Sequence, residues 1–102
     1  MAKRTKSKPA SLASPVLVHF EFIHPTAASV CIAGTFNEWH SSATPMIAMG
    51  GGRWAKELLL APGTYEYRFI VDGDWVTDGG GRETVVNPFG SHNTILRVGT
   101  PM

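Results

Sequence analysis

Between Tyr65 and Val71 every second side chain is large and apolar, and Asp72-Gly73 follows at once. A strand turns successive side chains to opposite faces, so Tyr65, Tyr67, Phe69 and Val71 share one face and Glu66, Arg68 and Ile70 the other. The first set is expected to build a core and the second to face outward. Asp-Gly is a strong short-range turn signal, because glycine takes positive φ without steric cost. The chain reverses here, and Trp75 stands just past the reversal. A large ring beside a polar turn is either a lid on the core or an exposed binding surface.

The same period of two recurs elsewhere. Val16, Val18, Phe20 and Phe22 alternate with Leu17, His19, Glu21 and Ile23, and Pro25-Thr26 ends that run. Ser29 to Ala33 reads as a second strand closed by Gly34. Trp54 to Leu60 reads as a third, with Trp54, Leu58 and Leu60 inward. Thr84 to Val86 is a short extended candidate, and Thr94 to Val98 closes the sheet with Leu96 and Val98 inward. Gly34 to His40 carries no 3.6-residue stripe and is expected to be a loop or short turn presenting Trp39. Ser41 to Gly52 is expected to be loop, with an apolar patch at Pro45 to Met49 and a turn at Gly50-Gly51-Gly52; no GK[ST] follows, which excludes a phosphate loop. Short strands, turn signals and no helix place the chain in the all-β class as an antiparallel β-sandwich. The expected organisation is a flexible basic N-terminal arm over 1–15, the sandwich over 16–98 and a C-terminal tail over 99–102.

Several function classes fall away on composition. The 102 residues make one domain, with little room for a deep cleft and its supporting shell. No apolar run reaches membrane-spanning length and no apolar segment follows the basic start, so a cytoplasmic location and no membrane partner are expected. The single Cys31 excludes an internal disulfide and is expected to be a buried reduced thiol. The net charge of +1 is asymmetric: Lys3, Arg4, Lys6 and Lys8 open the chain, and the five remaining basic residues against eight acidic ones leave the rest near −3. Such a tail could touch nucleic acid, but without interleaved aromatics it reads as a solvated arm. His19, His24, His40 and His92 have no ligand spacing, so no metal and no cofactor is expected. Asp72 and Asp74 bracket a turn glycine, whereas glycoside hydrolysis needs two carboxylates across a bond in a cleft. No nucleophile–base pair is present, and the chain is not expected to be an enzyme.

Three segments then resemble one family. Gly34-Thr35-Phe36-Asn37-Glu38-Trp39, the run from Leu60 to Trp75, and Asn87-Pro88-Phe89-Gly90-Ser91-His92-Asn93 are similar, in that order, to the family 48 carbohydrate-binding modules. That family includes the glycogen-binding domain of the AMP-activated kinase β subunit and the early-set domain of isoamylases and branching enzymes. The resemblance covers roughly residues 16–98. It implies an immunoglobulin-like sandwich of the early-set type that binds α-1,4-glucan. It also implies roles: Trp39 and Trp75 as stacking platforms, Arg68 as the basic residue of the hairpin strand where lysine is familiar, and Phe89 as an apolar finger where leucine is familiar. Ser91 matches a hydroxyl position and Asn93 an amide position. Taken alone, Asn93 could instead cap a turn and Phe89 could tuck onto the sandwich edge. The alternative function is a protein-interaction module on the same fold that has lost the sugar site and docks a glycan-processing enzyme or a kinase.

Overall fold

A computed structural model of the chain describes residues 15–78 and 82–99. The expected arm over 1–15 and tail over 99–102 thus lie outside the described residues, apart from Pro15 and Gly99. The elements, in chain order, are β1 (Val16–Ile23), β2 (Val30–Gly34), a single 3-10 turn (Thr35–Asn37), β3 (Ile47–Gly50), β4 (Arg53–Leu60), β5 (Gly63–Val71), β6 (Asp74–Val76), β7 (Thr84–Val86) and β8 (His92–Val98). They form two antiparallel sheets: a three-stranded one in the order β1-β4-β3, and a five-stranded one in the order β2-β5-β8-β7 with β6 on β5. This is the expected all-β sandwich.

The alternation read from the sequence builds the core. Phe20, Tyr67 and Phe69 are fully buried with Ile32 and Val30, and Leu60, Val71, Leu96 and Val98 complete the layer between the sheets. Phe20 meets Tyr67 edge to face at 5.3 Å between centroids, and Phe22 meets Phe69 at 4.5 Å. Such aromatic pairs add roughly 0.5–1.5 kcal/mol each beyond the area they bury. Val16, Val18, Phe22, Trp54, Leu58 and Tyr65 pack against this layer from its margins. The Asp72-Gly73 turn has two residues in the left-handed region (φ 50° and 89°), between the paired Val71 and Asp74. The Asp72 carboxylate accepts the amides of Ala28 and Ser29 at 2.8 Å each, and the Asp72 amide donates to the Ser29 carbonyl.

Three local expectations change. Ile47 to Gly50 is a strand, because the apolar patch finds a partner in β4 through the pairs Ile47–Ala55 and Ala48–Trp54. Cys31 is half-buried and faces away from the core, where it pairs with Ile70 across β2 and β5. Ile70 faces outward as its parity requires, yet is only 6% exposed, because Cys31 and Trp75 flank it on the same face. The outer face of the small sheet stays open: Leu17 and Leu59 are cross-strand partners and both exposed, as are Ile23 and Ile47.

The buried phenol of Tyr67 donates to Asp78 Oδ2 at 2.7 Å. Burial pushes its pKa well above the ordinary 10.0, and the Asp78 bond and charge push it further. A group raised in this way stabilises the fold fully below its unfolded pKa, and that contribution is lost as pH rises through the folded one. Stability should therefore fall from pH 10.0 upward. Urea midpoints across that range should slope less steeply in Tyr67→Phe; equal slopes would show that another group governs the alkaline limit.

Candidate functional site

The outer face of the five-stranded sheet carries alternate residues of its strands, here Cys31, Glu66, Arg68, Ile70, Trp75 and Asn93. Trp75 reaches this face because the two-residue turn sets it opposite Ile70. It is 41% exposed, so it both shields Ile70 and presents ring surface to solvent.

Trp39 arrives from the other side, through an unusual backbone. Asn37 pins the 3-10 turn: its Oδ1 accepts the Gly34 amide at 3.0 Å, and its Nδ2 donates to the Ile32 carbonyl and to Thr44 Oγ1, both at 3.1 Å. Glu38 and Trp39 then both sit in the left-handed region, at φ 57° and 60°, with the Trp39 amide donating to the Gly34 carbonyl at 2.9 Å. Two successive non-glycine residues there cost on the order of 1–3 kcal/mol each. This backbone places the Trp39 ring beside Trp75. The centroids are 6.4 Å apart and the planes are inclined by 43°.

Arg68 lies beside the pair. Its Cζ is 5.9 Å from the Trp75 centroid, and Nη2 donates to the Trp75 carbonyl at 3.2 Å. The guanidinium is thus tethered to the Trp75 backbone with its Cζ over the ring, within the range of cation–π attraction. Its Nε is buried without a hydrogen-bond partner.

The third segment comes from the loop between β7 and β8. Phe89 is 92% exposed, so it does not tuck onto the sandwich. Ser91 is half-buried and its amide donates to Asn87 Oδ1. Asn93 is only 7% exposed, and its side chain is engaged inside the protein: Nδ2 donates to Glu66 Oε1 and Oδ1 accepts from Asn87 Nδ2, both at 3.0 Å. The structure therefore brings Trp39, Arg68 and Trp75 into one cluster, and places Asn93 at the base of the loop that bears Ser91 and Phe89. The sequence reading overlooked Glu66, Asn37 and Asn87. Signals pointed to two of them: Glu66 shares the parity of Arg68, and Asn-Pro at 87–88 is a turn initiator whose side chain bonds the backbone two residues on.

A recess of about 300 Å³ lined by His19, Phe20, Glu21, Tyr67, Asp78 and Arg82 shares no residue with the aromatic cluster. Among the described residues no three His, Cys, Asp or Glu side chains are grouped to hold a metal.

Comparison with known proteins gives the family. The family model described as the glycogen recognition site of AMP-activated protein kinase matches residues 16–102. The chain is 34% identical over 95 residues to Protein PTST homolog 2, chloroplastic, of Arabidopsis thaliana, which covers 92% of this chain and 17% of that protein. It is 32% identical over 91 residues to 5'-AMP-activated protein kinase subunit beta-2 of Mus musculus, with 89% and 31% covered. A third relative is Protein FLOURY ENDOSPERM 6, chloroplastic, of Oryza sativa subsp. japonica, 36% identical over 72 residues, with 71% and 13% covered. The chain thus spans less than a third of the length of these relatives. It belongs to the glycogen-recognition family of AMP-activated protein kinase, a carbohydrate-binding module of the family 48 type.

Proposed function

We propose that this domain binds α-1,4-glucan of the glycogen or starch type without catalysis, as a stand-alone or targeting module. The observation that carries the reading is the pair of indoles on one sheet face, 6.4 Å apart and inclined by 43°. An α-glucose ring has an apolar C–H face and a rim of hydroxyls, and an indole offers a flat apolar surface with a partly negative π cloud. Two inclined platforms suit successive residues of a curved chain. Arg68 supplies donors only and Ser91 a hydroxyl, whereas Asn93, with its amide engaged by Glu66 and Asn87, supports the loop from beneath. Phe89, projecting from its loop, fits the inside of a helical glucan turn.

Such a surface is shallow and wet, so affinity in the micromolar to millimolar range is expected, roughly −4 to −8 kcal/mol. Calorimetric titration with maltoheptaose should give heat, and tryptophan fluorescence should change over the same concentrations. Silence in both at millimolar sugar would end the proposal.

A second reading rests on a separate surface. The exposed Leu17–Leu59 pair with Ile23 and Ile47 on the opposite sheet supports docking of a protein, such as a glycan-processing enzyme or a kinase. A stoichiometric partner retained in the presence of excess glucan would favour this reading.

A further inference from the structure

Asn93 could offer its amide in either orientation, but its neighbours leave one. Glu66 presents a carboxylate, which only accepts, so the Asn93 group facing it at 3.0 Å is Nδ2. Asn93 Oδ1 is then turned to Asn87, which must donate through its own Nδ2 at 3.0 Å. That in turn fixes Asn87 Oδ1 as the acceptor for the amides of Phe89 at 2.9 Å and Ser91 at 3.1 Å. The Asn87 backbone closes the same loop, its amide donating to the Ser91 carbonyl at 2.8 Å and its carbonyl accepting from Gly90 at 3.1 Å. A line of hydrogen bonds with a single polarity therefore runs from the strand β5, through the buried Asn93, to the backbone on both sides of the exposed Phe89.

From this we propose that Glu66 and Asn87 are positioning residues for glucan binding: they touch no sugar, and they hold the 87–93 loop so that Phe89 projects. The inference rests on the glucan reading for its functional half and stands independently for its structural half. A ring that is 92% exposed is held up by nothing of its own, so its direction comes from the backbone beneath it. Asn87 bonds that backbone through four hydrogen bonds, and Glu66 fixes the orientation of the amide that holds Asn87.

The test uses the full chain. In free protein, the amides of Phe89 and Ser91 should exchange with deuterium about tenfold faster in Asn87→Ala than in the parent, the expected effect of losing a partly buried acceptor. Maltoheptaose affinity should fall about tenfold in Asn87→Ala, and the double variant Asn87→Ala/Phe89→Ala should bind no more weakly than Phe89→Ala alone, since both changes remove one contact. Additive losses would overturn the positioning role. Polarity is tested separately, with variants that keep the loop acceptors. Asn87→Asp sets two carboxylates against one amide and should speed exchange at Phe89 and Ser91. Adding Glu66→Gln lets Asn93 turn over, donating to Asp and accepting from Gln, and should slow exchange again. Failure of that rescue would overturn the relay. A parent that binds no glucan would remove the functional half, while the exchange measurements still decide the structural half.

Discussion

Trp39→Gly should weaken maltoheptaose binding roughly thirtyfold and leave the protein about as stable as the parent. The two effects separate because Trp39 stands at φ 60°. A bulky side chain there costs on the order of 1–3 kcal/mol, whereas glycine adopts that backbone freely. Against this gain stands the loss of the partly buried ring and its tilted contact with Trp75, of similar size. The sugar loses a whole platform, about 2 kcal/mol of apolar and aromatic contact, which corresponds to that thirtyfold. Trp75→Ala should lose as much affinity and also lower the unfolding midpoint, because Ile70 then faces water. Calorimetry and thermal unfolding on the two variants check both halves. A Trp39→Gly protein that binds as the parent does would remove Trp39 from the site.

The second large effect is on stability. Gly34→Ala should cost about 3 kcal/mol and lower the unfolding midpoint by roughly 12 °C, at the upper end for overpacking. A Cβ on Gly34 would meet the Glu66 carbonyl oxygen, the Phe36 ring at 2.8 Å and Tyr67 Cβ at 2.8 Å. The first and last belong to the central strand and cannot swing aside as a side-chain tip would. The backbone at Gly34 is extended (φ −169°), so the cost is one of contact and not of conformation. The loss should also reach the site, since the Gly34 carbonyl receives the Trp39 amide. Unfolding in urea, with the slope checked against the parent, measures it; a cost below about 1 kcal/mol would mean that β2 and β5 separate easily there.

What could be read from the sequence follows from what depends on near neighbours alone. The parity of Tyr67, Phe69 and Val71, and the two-residue turn at Asp72-Gly73, are local properties and stand in the fold as expected. The strand at Ile47–Gly50 depends on pairing with β4, and the burial of Ile70 depends on what two other strands set beside it; neither is a property of the segment itself. The polar part of the site was the least legible. A sequence shows that Asn93 has a donor and an acceptor, but not that Glu66, 27 positions away, takes one of them. The left-handed backbone at Trp39 was equally hidden, because nothing in tryptophan favours it and the turn pinned by Asn37 imposes it.

The Asp72 carboxylate, which takes two amides of the connection between β1 and β2, bears on association as well as on folding. It ties the tip of the hairpin that carries Trp75 to a neighbouring loop, so in the proposed glucan site the ring is held in place before a ligand binds. Ordering a loose side chain or loop on binding costs about 0.5–1.5 kcal/mol for each group immobilised. Here that cost falls on the folding of the chain. A binding surface with few contacts thereby keeps more of their free energy as affinity, and removing the clamp should appear as an entropic penalty on binding even where every residue facing the sugar is unchanged.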